Sequence, residues 1–174
     1  LVKSMVTLSR MDEEESPLRM KEFDLSAAAE ETAGSFSDFA LSRGHELSIN
    51  VEQGISYRGD EYAVRQLVSI LLDNAVKYAA DATPISVELR RARKSVILCA
   101  ENTCVSPENI EADKLFDRFY RADKSRSESG SGFGIGLSIA RSIAAHRSSV
   151  TETPCSFAQA LTSGACSIIV TRFT

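Results

Sequence analysis

The sequence predicts an α+β domain of two layers, with helices laid against a sheet. Three observations carry that prediction. Helical periodicity recurs in three full stretches, and period-two alternation recurs in five to seven short ones. A chain of 174 residues with 43% hydrophobic and 25% charged residues is long and apolar enough for one domain with a sizeable core. The same balance excludes a disordered or collagen-like chain. Lys and Arg number 20 against 24 Asp and Glu, a net charge of −4, so no basic excess is available for a nucleic-acid partner. The longest uncharged run, residues 153–171, contains Pro154, Gly164 and many Ser and Thr residues. It reads as two strands and a turn, so neither a membrane span nor a signal peptide is expected. The four cysteines, Cys99, Cys104, Cys155 and Cys166, form no Cys-x-x-Cys pair and have only two His residues beside them. Reduced, mostly buried thiols are expected, not a zinc site.

The elements follow in order. Leu1, Met5 and Leu8 keep helical spacing up to the acidic run at residues 12–15 and Pro17. Residues 1–16 are therefore expected to be a helix end plus linker, and a start at Leu1 leads to the expectation that the chain is a piece of something longer. Residues 17–174 form the domain proper. Asp24 or Ser26 caps a helix whose inner stripe is Leu25, Ala28, Ala29, Thr32, Phe36 and Phe39, and Gly44 stops it. Leu47, Ile49 and Val51 alternate as a strand, and Ile55-Ser56-Tyr57 pairs nearby. Asp60 caps a helix over residues 61–78 with Val64, Leu67, Leu71, Asn74, Ala75 and Tyr78 on its stripe. Ile85, Val87 and Leu89, a turn at 91–94, and the apolar run 96–100 make a hairpin. An irregular region, 102–134, leads to a helix ending near His146, and two strands flank Gly164.

Three features carry chemistry. Asn74, Lys77 and Tyr78 stand at i, i+3 and i+4, so they meet on one helical face. A buried Asn on an apolar stripe must have partners or cost about 1–3 kcal/mol. Four of the nine glycines fall within residues 130–136, directly before a helix. Backbone N–H groups freed of side chains, at a helix start, suit a phosphate. Between them, Arg118, Arg121, Lys124 and Arg126 line a Ser- and Gly-rich stretch able to close on a nucleotide.

The stretch Leu71-Leu72-Asp73-Asn74-Ala75-Val76-Lys77-Tyr78 resembles the asparagine box of sensor histidine kinases. Residues 116–123, Phe-Asp-Arg-Phe-Tyr-Arg-Ala-Asp, resemble their phenylalanine box, and residues 132–140, Gly-Phe-Gly-Ile-Gly-Leu-Ser-Ile-Ala, their second glycine box. Order and spacing match as well. The resemblance implies the catalytic ATP-binding domain of such a kinase, with the Bergerat two-layer fold of a mixed sheet covered by helices on one face. Residues 1–16 would end the dimerisation and phosphoacceptor hairpin. By matched position, Asn74 would ligate Mg²⁺, Lys77 would contact phosphate, and Tyr78 would pack near adenine or ribose. Arg118 and Arg121 would reach phosphates, and Gly132, Gly134 and Gly136 would cradle them with Leu137 at the helix start. The implied reaction passes the ATP γ-phosphoryl group to a histidine upstream of Leu1, for relay to a response regulator aspartate. The implied location is cytoplasmic, in a membrane-anchored parent, with no membrane contact by this piece.

One box departs. The family's Asp-x-Gly-x-Gly is here Asn102-Thr103-Cys104-Val105-Ser106. Asn102 keeps a carbonyl oxygen for the adenine amino group, but losing the carboxylate charge costs about 1 kcal/mol. Cys104 brings a Cβ and a sulfur where glycine allows close approach. Ile70 also stands where the longer asparagine box often has Asn. These changes motivate an alternative reading, a degenerate pseudokinase module that docks or scaffolds. A serine-kinase anti-sigma factor of the same fold is a second rival, disfavoured by the hairpin remnant and by Phe119-Tyr120-Arg121. His45-Glu46-Leu47 superficially resembles a phosphoacceptor motif, but Gly44 precedes it and a strand follows, so it is read as a decoy. His146 is read as a helix C-terminal residue.

Overall fold

The computed structural model describes residues 20–93, 95–103, 114–120, 134–145, 156–162 and 165–171, the last two stretches by their backbone. Chain order is β1 (Lys21–Asp24), α1 (Leu25–Gly34), α2 (Ser37–Ser42), β2 (Leu47–Val51), β3 (Ser56–Gly59), α3 (Glu61–Tyr78), β4 (Ile85–Ala92), β5 (Ser95–Thr103), α4 (Gly136–Ala145), β6 (Ser156–Thr162) and β7 (Ala165–Thr171). The main sheet runs β2-β4-β5-β7-β6. β2 lies parallel to β4, and the other neighbours are antiparallel, so the sheet is mixed as expected.

Alternation decides which face is covered. Along β4, Ile85, Val87 and Leu89 are buried while Ser86 and Glu88 are half-exposed. Along β5, Val96, Leu98 and Ala100 point the same way. The helices pack on that face, with Leu25 of α1, Val64, Leu67, Leu71 and Leu72 of α3, and Ile139, Ala140 and Ile143 of α4 in one core. On the other face, burial pushes the Cys99 thiol up to about 11, and the Glu101 and Glu88 carboxylates add to it.

α3 forms as predicted and to the same residues. Its cap is the Asp60 carboxylate, which accepts from the Ala63 N–H at 3.2 Å. The helix predicted from residue 25 to Gly44 is instead two. Gly34 and Ser35 are weak helix formers, and the Ser35 hydroxyl donates to the Thr32 carbonyl at 2.7 Å. The chain turns there and restarts as α2, with the Phe36 and Phe39 rings edge to face.

Asp24 is the cap of α1, accepting from Ala27 N–H at 2.9 Å. Ser26 has a different task. It is fully buried, donates to the Glu52 carbonyl at 2.7 Å and accepts from Ile55 N–H at 2.9 Å. Ser26→Ala leaves both backbone groups without that partner. It is expected to destabilise the domain by about 1–3 kcal/mol, read from urea unfolding midpoints.

The partner of the 55–57 stretch is β1, which the sequence analysis did not mark as a strand. β1 pairs antiparallel with β3 in a separate two-stranded sheet, and Phe23 meets Tyr57 edge on. Lys21 then reaches Glu61 at the start of α3, and Arg65 joins Glu61 to Glu31 of α1. Lys21 first, then Arg65, holds the Glu61 carboxyl below its usual range.

Candidate functional site

The sequence-predicted residues lie on separate elements, and backbone bonds join those elements. α3 ends at Tyr78 because Ala79 turns to extended geometry. Ala80 N–H then donates to the Thr103 carbonyl at 2.8 Å, which ties the end of α3 to the end of β5. Asn102 is the neighbour of the residue that accepts this bond. Asn102 is only 6% exposed; its amide Nδ2 donates weakly to the Thr103 carbonyl at 3.3 Å.

On the other flank, Ile70 faces the first residue of α4. A methyl group placed at Gly136 would sit 3.6 Å from Ile70 Cγ2, an ordinary contact. Ile70 thus lies against the start of α4, which gives an apolar side chain at this position a packing role. The free N–H groups of the first turn of α4 carry the positive end of its dipole. Leu137, predicted among the ligand contacts, is 8% exposed and belongs to the core, so only its backbone is left to face a ligand.

The phenylalanine box and the glycine box touch directly. Phe119 N–H donates to the Gly134 carbonyl at 2.9 Å. Gly134 has φ +69°, and a Cβ there would lie 2.7 Å from the Tyr120 carbonyl oxygen and 2.9 Å from the Phe119 carbonyl carbon. Only glycine fits. Phe119 itself has φ +69° and is 69% exposed. A bulky residue in that region costs about 1–2 kcal/mol and marks a functional constraint more often than chance does. Arg118 is exposed beside it.

Two expectations change. Asn74 is half-buried, not buried, at the margin of the apolar stripe, so its amide has access to a ligand. Lys77, expected to contact phosphate, already has an ionic partner on its own helix. Its ammonium donates to the Asp73 carboxylate at 2.6 Å, one turn back, with 29% and 45% of the two side chains exposed. The sequence reading passed over Asp73, although its i, i+4 spacing from Lys77 was the available signal. Tyr78 is 43% exposed at the helix end. Cys104, Arg121 and Gly132 lie outside the described residues.

His45 is buried, with Nδ1 3.0 Å from the Thr83 carbonyl, at the approach to β2. Such a ring is not presented for phosphorylation. His146 lies outside the described residues. Among the described residues no group of three or more His, Cys, Asp or Glu side chains is placed to hold a metal ion, and no helix is long and apolar enough to cross a membrane. A Mg²⁺ ion here would depend on oxygen donors such as the Asn74 amide together with a ligand's own phosphates. The accessible Asn74 amide and the glycine-only approach at Gly134 fit a Mg-nucleotide of that kind.

Comparison with known proteins gives the family. The sensor protein DltS of Streptococcus agalactiae is 33% identical over 143 residues, covering 82% of this chain and 36% of DltS. The sensor histidine kinase CusS of Escherichia coli K12 is 34% identical over 156 residues, covering 88% of this chain and 32% of CusS. The chain therefore spans about a third of the curated relatives it matches. Among solved structures, full-length ShkA, in complex with AMPPNP, superposes with a TM-score of 0.78 at 19% identity, over 98% of this chain and 34% of ShkA. The profile of the histidine kinase-, DNA gyrase B- and HSP90-like ATPases matches residues 59–172, from the cap of α3 through β7. The chain is a member of that ATPase family.

Proposed function

We propose that this chain is the ATP-binding catalytic domain of a sensor histidine kinase, and that residues 1–16 end its dimerisation hairpin. It binds Mg-ATP and passes the γ-phosphoryl group to a histidine upstream of Leu1, for relay to a response regulator aspartate. The domain works on the cytoplasmic side of a membrane-anchored parent. One observation supports the reading above the others: Phe119 N–H bonds to the Gly134 carbonyl at a position where only glycine fits, so the two boxes that would hold the phosphates meet directly.

The reaction forms an N–P bond on the acceptor imidazole and breaks the bond between the γ-phosphorus and its bridging oxygen. ADP leaves with that electron pair. Magnesium, when bound, would supply positive charge that offsets the charge of the phosphates. The protein's part is positioning and charge stabilisation. The Asn74 amide oxygen would hold that ion beside the phosphates. Lys77 and the arginines Arg118 and Arg121 donate to phosphate oxygens. The α4 N-terminus behind Gly132, Gly134 and Gly136 cradles the phosphates. Asn102 accepts from the adenine amino group through its carbonyl oxygen and donates to a ring nitrogen through its amide, and Tyr78 packs on adenine or ribose.

The test is calorimetric titration with ADP and a non-hydrolysable ATP analogue, with and without Mg²⁺. Saturable binding that tightens with Mg²⁺ is expected. No binding at millimolar nucleotide by a folded sample would overturn the reading in favour of a docking module that has lost its adenine pocket. The relatives compared above lend no support to that alternative, since they bear the names of sensors and kinases.

A further inference from the structure

We infer that Asp73 sets the nucleotide affinity of this site by acting as a built-in competitor for Lys77. This rests on the reading of Lys77 as a phosphate-binding residue. The Lys77 ammonium lies 2.6 Å from the Asp73 carboxylate oxygen. The acidic residue is N-terminal to the basic one at i, i+4, the order that a helix favours. Lys77 is also in the last turn of α3, where the helix dipole already retains a cation. The lysine thus has a partner before any nucleotide arrives. A second effect adds to the first. Asp73 immediately precedes Asn74, so an incoming polyphosphate meets a carboxylate of its own sign at the margin of its site.

The pair is well made but accessible, with 45% of the Asp73 side chain and 29% of the Lys77 side chain exposed. A partly exposed pair opens at small cost, so a phosphate can displace the carboxylate without unfolding anything. Binding then exchanges one charge-assisted bond for another instead of adding one. The net gain from Lys77 falls, and release of the product nucleotide is eased by the same carboxylate returning to its lysine. Asp73 is a positioning residue in this scheme: it acts through Lys77 and touches no reacting atom.

A double-mutant cycle tests this on the whole chain, titrated with a non-hydrolysable ATP analogue and Mg²⁺. Asp73→Asn frees Lys77 and is expected to tighten binding about three- to tenfold. Asp73→Glu keeps the charge on a longer arm and is expected to stay near the parent value. In a Lys77→Met background, Asp73→Asn is expected to tighten binding less than about twofold, because the coupling is lost and only the weaker repulsion by the carboxylate remains to be relieved. Thermal unfolding of each variant checks the fold, and Asp73→Ser replaces Asp73→Asn should the latter unfold. Unchanged or weaker binding by Asp73→Asn, with Lys77→Met still weakening binding, overturns the competition and leaves the role of Lys77 standing. Equal tightening in both backgrounds overturns it as well, since a bare field effect needs no lysine. Parent-like affinity in Lys77→Met removes the phosphate role of Lys77 itself, and the inference falls with it.

Discussion

Gly134→Ala is expected to reduce nucleotide affinity at least about tenfold and to lower the thermal midpoint of the domain measurably. The added methyl would stand 2.7 Å from the Tyr120 carbonyl oxygen and 2.9 Å from the Phe119 carbonyl carbon, both main-chain atoms. Neither can swing aside as a side-chain tip would. The φ of +69° adds its own penalty for any residue with a Cβ. Together these cost about 2–4 kcal/mol if the backbone holds, and the chain avoids most of that only by parting the phenylalanine box from the glycine box. Gly136→Ala is the internal comparison. Its methyl would meet Ile70 Cγ2 at 3.6 Å, so the fold is expected to keep its midpoint whatever happens to ligand affinity. Equal midpoints for Gly134→Ala and the parent would show that the contact between the two boxes contributes nothing to the fold.

The second large effect is expected at Asn74. Asn74→Asp is nearly isosteric at a half-buried position, so the fold should survive it. The change removes an amide donor and places a second carboxylate beside Asp73, where the proposed site would gather phosphate charge. The apparent Kd for the nucleotide is expected to rise about tenfold or more, which corresponds to about 1.4 kcal/mol. The dependence on Mg²⁺ should also change, because the residue proposed to hold the ion has changed its charge. Titration of parent and variant across a range of Mg²⁺ concentrations reads both effects. Identical affinity and identical Mg²⁺ dependence would remove Asn74 from the site.

How much of this was legible in the sequence depends on the range of the forces involved. The bounds of α3 were readable because eighteen residues of periodicity, an aspartate cap and a clean stripe agree. The β4–β5 hairpin was readable from its alternation. β1 was not, since four residues with three charges, Lys21, Glu22 and Asp24, look like linker. It becomes a strand because β3 offers a partner and Phe23 finds Tyr57. The division between α1 and α2 was hidden for a related reason: Phe36 and Phe39 kept helical spacing across a turn. In the site, residue types were legible and their mutual engagement was not. Nothing local tells that Gly134 must clear Tyr120, or that Ile70 packs on the start of α4. The Asp73–Lys77 pair was within reach, because one helical turn separates the two residues.

The bond between Phe119 and Gly134 also bears on how this domain tolerates change in length. It joins two points with fourteen residues between them, residues 120–133, so both ends of that span are fixed by the domain itself. Closing entropy grows only with the logarithm of the number of residues enclosed, and doubling the span adds about 0.6 kcal/mol. In closing entropy alone, the Phe119–Gly134 bond is therefore almost indifferent to the number of residues it encloses.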